Sequence, residues 1–306
     1  MLVLASTVAG FATTPYAAFH FHRVTPYGVL ANLAAMPVVS ALVMPAGMLG
    51  LLAMPFGLDG IFWRLMDVGI NWMIVVSQWV AALPGAIGRV PAFGTAPLLV
   101  ATLGMIVLGL FSTPLRWAGA VAMAGAAVWA LATPQPDILV SANGRHVAVR
   151  GEDGLLQVMQ VGKDAFLLKE WLAADADARM AVDPSLSEHV SCDEAGCVSA
   201  LRGGGLVTLA DRPDAFDDDC TQAAFIVAPG AAPEGCAAFV VDRARLRRSG
   251  ALAVRRRGAA FVIEAQRPDG TDRPWSPAPP DEGAPTSEAT ASRWRDATPP
   301  DPQGED

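Results

Sequence analysis

From Val24 to Leu58 the chain runs 35 residues without an Asp, Glu, Lys or Arg. As a helix rising ~1.5 Å per residue, that run reaches roughly 50 Å, against about 30 Å for the hydrocarbon core of a bilayer. It is too long for one straight crossing. Pro37, Pro45 and Pro55 each remove a backbone donor inside it, so the run is expected to break into pieces rather than form one rod. Freed backbone groups at membrane depth need other protein or a water-filled cavity around them. Transport sites meet that need, and so does ordinary helix packing.

The charges divide the chain in two. Of its 306 residues, positions 1–136 hold six formal charges (Arg23, Asp59, Arg64, Asp67, Arg89 and Arg116), and the remaining 46 follow. Such asymmetry marks a membrane part joined to a soluble part. We divide the chain into a polytopic membrane region at 1–133, a small soluble domain at 134–266 and a Pro-rich tail at 267–306. The net charge of −8 comes from beyond the membrane region and argues against a general nucleic-acid binder.

The fold class expected is an α-helical membrane bundle of four to five segments, followed by a small α/β or β-rich domain. Residues 1–19 are apolar but lack the basic stretch of a secretory leader, and read as the tail end of a membrane helix interrupted at Thr13, Thr14 and Pro15. His20-Phe21-His22-Arg23 could be a metal pair or a surface anchor. Tyr16, Phe19 and Tyr27 nearby favour the anchor. Ile61–Leu83 reads as a helix on which Arg64, Asp67, Asn71 and Gln78 share one face. That stripe either lines a pathway or lies along the interface of the bilayer. Leu98–Phe111 and Trp117–Leu131 complete the spans, with Trp117 and Trp129 at the interfaces. Gly104, Gly109, Ala118, Ala122 and Ala126 supply small faces for packing.

Beyond Pro134, short apolar runs read as strands at 138–141, 146–150, 198–201, 206–210, 223–228, 237–242, 251–255 and 260–265. Asn143-Gly144 is a hairpin turn and 164–174 a helix. All four cysteines, Cys192, Cys197, Cys220 and Cys236, fall here, as suits an oxidising side of a membrane. Four cysteines allow three pairings, of which the sequence-local Cys192–Cys197 and Cys220–Cys236 is preferred. A zinc site is the rival, but the usual C-x2-C pairs are missing. Arg243, Arg245, Arg247, Arg248, Arg255, Arg256 and Arg257 form a cluster that either meets DNA phosphates or is a solvated edge facing Asp217-Asp218-Asp219. The nine prolines after Arg267 predict a disordered tail.

Ala12-Thr13-Thr14-Pro15, the aromatic and histidine run to Phe21-His22-Arg23, and Tyr27-Gly28-Val29-Leu30-Ala31-Asn32-Leu33 carry a resemblance. With Pro37 and Pro45 behind them, they are similar to the ComEC-type DNA-internalisation proteins of bacterial competence, through Leu131. Residues 137–253 look like the C-terminal domain of some members, which is metallo-β-lactamase-like. The resemblance implies a route for single-stranded DNA across the inner membrane, and a chain that begins partway through the competence domain and functions as a part or an incomplete fragment. No H-x-H-x-D-H run is found, so no metal, cofactor or catalytic residue is carried over and no enzyme is expected.

Candidate pathway residues are Asn32, Arg64, Asp67, Asn71 and Gln78. The expected partners are membrane lipid, single-stranded DNA, and further competence-domain helices, other DNA-uptake proteins or a second copy. The location implied is the inner membrane, multi-pass, with the soluble domain periplasmic. The rival reading is a membrane anchor presenting a disulfide-stabilised interaction domain.

Overall fold

The computed structural model describes residues 2–160, 164–231, 233, 235–258 and 260–268. The tail expected to be disordered lies outside the described residues from position 269 on. Contacts divide the chain into two units, the first Met1–Asp137, Arg150–Val158 and Gly162–Val190, the second Ile138–Val149, Met159–Val161 and Ser191–Asp306.

The first unit opens with α1 (Leu2–Phe21), which continues through Thr13, Thr14 and Pro15 where an interruption was expected. The Thr13 hydroxyl donates to the Ala9 carbonyl at 2.9 Å and the Thr14 hydroxyl to the Gly10 carbonyl at 2.6 Å. Both side chains thus back-bond within the helix instead of breaking it.

The proline-bearing run departs from expectation in the same way. It forms one continuous helix, Gly28–Phe56, built from α2 (Gly28–Val38), a π-helical turn (Val39–Val43), α3 (Met44–Ala53) and a 3-10 turn (Met54–Phe56). In the π turn the Met44 amide reaches back five residues to the Val39 carbonyl. The wider turn absorbs one residue and moves the preceding carbonyl away from the Pro45 ring, so the helix bulges rather than breaks. Gly57, at φ +68°, ends it.

α4 (Asp59–Ala81) returns antiparallel along this helix. Trp63 lies over Gly50, Val43 over Gly69, and the Trp72 indole donates to the Ala34 carbonyl at 3.1 Å. A Cβ on Gly69 would stand 2.5 Å from the Val43 side chain, so the π turn and α4 touch only because that residue is glycine. α5 (Thr95–Leu110) and α6 (Arg116–Leu131) pair through Gly104 and Gly119, where a Cβ on Gly119 would meet the Gly104 carbonyl oxygen at 2.4 Å. Ala126 and Ala130 continue that face, whereas Ala118 is exposed and Gly109 meets nothing within 4 Å.

Among the described residues two helices, Gly28–Phe56 and Asp59–Ala81, are long and apolar enough to cross a membrane, and only 11% of each apolar window is buried. A core helix of a water-soluble protein would hide that surface. α5 and α6, at 16 residues each, reach only about 24 Å. The helical region therefore holds two candidate spans and two shorter apolar helices.

A two-stranded ribbon pairs the segment after α1 with the one after α4, β1 (Arg23–Val24) antiparallel to β2 (Gly88–Arg89). α7 (Ala165–Ala174) follows later in the chain, capped by the Asp164 carboxylate on the Leu167 amide, with Leu168 and Leu172 buried.

Most strands of two sheets fall in the second unit, while Arg150, the 156–158 stretch and Val190 count with the first. One five-stranded sheet runs in the order β12-β11-β3-β4-β5, the other β10-β9-β8-β7-β6. The strands are β3 (Ile138–Val140), β4 (His146–Arg150), β5 (Leu156–Gln160), β6 (Val190–Cys192), β7 (Gly196–Ala200), β8 (Leu206–Ala210), β9 (Phe225–Val227), β10 (Phe239–Val241), β11 (Leu252–Arg257) and β12 (Ala260–Ala265). Asn143-Gly144 makes the turn between β3 and β4, with Gly144 at φ +70°. β8, β9 and β10 run parallel, with α8 (Phe216–Gln222) in the β8–β9 crossover. α9 (Arg243–Ser249) precedes β11. Val207, Leu209, Phe225, Ile226, Val227 and Val241 are fully buried. Cys192 is bonded to Cys197 and Cys220 to Cys236, the pairing preferred from spacing.

Candidate functional site

A cavity of about 730 Å³ opens between α1, α2 and α4. The α1 wall is a polar, small-residue stripe: Ser6, Gly10, Thr13 and Ala17 recur at helical spacing, with Thr7 and Thr14 beside them. Asn32 faces them from α2 and Ser77 from α4. Tyr27 closes one end, its hydroxyl donating to the Pro84 carbonyl at 3.0 Å. Most hydroxyls here are already spent on their own helices, Thr7 on the Val3 carbonyl and Ser77 on the Met73 carbonyl, each at 2.8 Å. The Asn32 amide faces the cavity with the Ser6 and Thr25 hydroxyls, and no Lys or Arg lines it among the described residues. Its lining is uncharged and mostly apolar, with a few hydroxyls and one amide set among small residues.

Asn32 thus lies on the cavity and the other four pathway candidates do not. Arg64, Asp67, Asn71 and Gln78 are exposed on α4. At about 100° per residue their stripe stands opposite the buried Gly69 and Val76. The α1 residues of the wall went unnamed from the sequence, although the Ser6, Gly10, Thr13 spacing carried the signal.

Residues 1–115 match the family model described as Competence protein.

The competence match covers every residue of the cavity and ends one residue before α6 begins. No curated protein and no solved structure matches the chain.

Within the matched stretch, the ribbon sets Arg23 directly opposite Arg89. His22, at φ +55°, turns the chain out of α1, and its carbonyl accepts from the Val90 amide at 3.0 Å. Burial lowers the His22 imidazole below its ordinary pKa against the pull of Glu170, and its Nδ1 is buried without a hydrogen-bond partner. His20 packs edge-on against Phe19, and Phe19 against Phe93 at 5.6 Å. A second pocket, about 340 Å³, is lined by His22, Arg23, Arg89, Lys169, Asp177 and Arg179 among others. Arg179 is committed there, donating to the Asp177 carboxylate at 2.7 and 2.9 Å and to the Leu156 carbonyl at 2.8 Å. Burial pushes the Asp177 carboxyl up, but the Arg179 hydrogen bonds and charge, with Arg89 beyond, hold it below the usual carboxylate range.

In the second unit the arginine cluster is split between two elements. Arg243, Arg245, Arg247 and Arg248 sit on α9, and Arg255, Arg256 and Arg257 on β11. Arg245 lies 4.8 Å over the Phe239 ring, Arg255 pairs with Glu264, and Arg256 donates to the Gly204 and Gly258 carbonyls. Among the described residues no group of three or more His, Cys, Asp or Glu gathers as a metal site would.

Proposed function

We propose that the chain forms part of the route by which single-stranded DNA crosses the bacterial inner membrane during natural transformation. The observation that carries this reading is that the competence match spans the whole neutral cavity between α1, α2 and α4. A cavity with hydroxyl and amide groups inside an apolar, outward-facing helical unit gives a hydrophilic substrate a foothold at membrane depth. Phosphates also need cations, and this cavity supplies none. Further helices or a second copy bring them in our reading, and α5 and α6 join the spans as an incomplete part of that larger bundle. The two disulfides support a location of the second unit on an oxidising side, the periplasmic one in this reading. There it acts as a catalytically silent relative of the metallo-β-lactamase-like domain, without metal or cofactor.

The test is uptake of labelled DNA by a strain deleted for this gene, complemented with the full chain or with Asn32→Leu. Loss of cytosolic label on deletion, and weak rescue by the variant, are expected. Unchanged entry of label in the deletion strain removes the transport reading.

The exposed position of Arg64, Asp67, Asn71 and Gln78 favours a second reading, a membrane anchor whose α4 stripe meets headgroups while the disulfide-bonded unit binds a partner. Under it the deletion strain takes up DNA normally and loses a periplasmic interaction instead.

A further inference from the structure

The pocket at the ribbon poses an electrostatic problem. Arg23 and Arg89 are direct cross-strand neighbours, an arrangement of like charges that destabilises a ribbon unless something negative lies between them. Gly88 makes the pairing tight, since a Cβ there would stand 2.4 Å from the Val24 side chain. Lys169 brings a third cation to the same pocket from α7, and the unpartnered Nδ1 of His22 lies in its wall. Of the carboxylates nearby, Asp177 is hydrogen-bonded by Arg179 while its charge also reaches Arg89, and Glu170 lies within electrostatic reach of His22. That leaves Arg23, Arg89 and Lys169 as three cations around the pocket.

The rim is apolar. Phe166, one turn before Lys169 on α7, is 75% exposed, Met180 in the pocket wall 70%, and Val182 beyond it 78%. Large apolar side chains held in the open beside a basic cup are the pattern of a surface that sits in the headgroup layer of a bilayer. The cup suits one headgroup, whereas a strand site would be a groove tracking successive phosphates with stacking aromatics along it.

We propose that this pocket binds the phosphate of an acidic phospholipid, with Arg23, Arg89 and Lys169 on the headgroup and Phe166, Met180 and Val182 in the adjoining acyl layer. The proposal rests on the membrane-embedded reading of the helical unit. A full chain that stays soluble without detergent would remove that reading, whereas the binding comparison below addresses the pocket alone.

The experiment measures binding of dihexanoyl-phosphatidylglycerol to the full chain in a neutral detergent. Dihexanoyl-phosphatidylcholine, inorganic phosphate and a short oligothymidylate serve as competitors. Phosphatidylglycerol is expected to bind about tenfold more tightly than phosphatidylcholine. Arg23→Gln with Arg89→Gln should erase that preference, and Arg23→Lys with Arg89→Lys should keep most of it. Met180→Asp with Val182→Asp, both at exposed positions, should weaken the lipid without unfolding the chain. Equal binding of the two lipids overturns the proposal. So does inorganic phosphate competing as well as the lipid, which would make this a free-anion site. Displacement of the lipid by oligothymidylate at equal concentration overturns it in favour of a strand site.

Discussion

Arg150 donates two hydrogen bonds to the Asp175 carboxylate, at 2.5 and 3.1 Å, with both side chains less than one-tenth exposed. The guanidinium also serves the Pro136 and Gly154 carbonyls, so one side chain ties the end of β4 to the segment that follows α6 and to the end of α7. Truncating one partner strands a buried charge. Asp175→Ala should therefore cost about 3–5 kcal/mol, read from denaturant unfolding of the full chain in detergent. A loss below about 1 kcal/mol would mean that water reaches the site and the pair is worth no more than a surface one.

The α5–α6 pair depends on two glycines in contact. Gly119→Ala should cost about 1–3 kcal/mol by overpacking, because its Cβ would run into the Gly104 carbonyl. Gly109→Ala, in open space on the same α5, is the control and should cost nothing. Equal thermal shifts for the two variants would show that the helices do not meet where we place them.

The two disulfides should differ in worth. Cys220–Cys236 closes a loop with a sequence separation of 16, and Cys192–Cys197 one of 5. Loop-closure entropy then makes the first worth about 3 kcal/mol and the second about 2. Paired Cys→Ser variants, compared by unfolding midpoint, should rank in that order. A reducing gel that shifts neither variant nor parent would mean the thiols are free in the cell.

Acid should loosen the clamp at Asp177. Its folded pKa lies below the ordinary value, so its contribution is present above about pH 4 and is lost as pH falls through the depressed value. Asp177→Asn should destabilise the protein at pH 7 and make little difference near pH 2. Asp219 runs the other way: burial raises its pKa, with the neighbouring Asp193 and Asp218 charges adding to the rise. Its neutral form is favoured on folding, and that stability is lost as pH rises through the raised value. Asp219→Asn should therefore stabilise slightly at pH 7 and not at all in acid. A pH-independent effect for either variant would contradict the assignment.

Asn32 carries the transport reading most directly. Asn32→Leu removes the amide that faces the cavity and should reduce DNA entry while sparing stability. Asn71→Leu, on the exposed face of α4, is the control and should leave entry unchanged. If Asn71→Leu abolishes uptake and Asn32→Leu does not, the working surface is the outer stripe.

The sequence by itself determined the division into an apolar helical part and a charged, sheet-rich part, because charge density and apolar periodicity are local properties of the chain. It determined the Asn143-Gly144 hairpin, the strand runs 206–210 and 260–265, and the preference for near-neighbour cysteine pairing, each set by a few adjacent residues. Only the tertiary structure decided that the helix runs on through Pro37 and bulges ahead of Pro45 instead of breaking. Whether a lost hydrogen bond is absorbed depends on the turn that can form against α4, and Gly69 makes that turn possible. The same holds for the site. Helical spacing placed Arg64, Asp67, Asn71 and Gln78 on one face correctly but could not say which way that face points. Its direction is set by where Trp63, Gly69 and Trp72 find their partners, Gly50, Val43 and Ala34, all on the preceding helix and more than ten residues away in the chain.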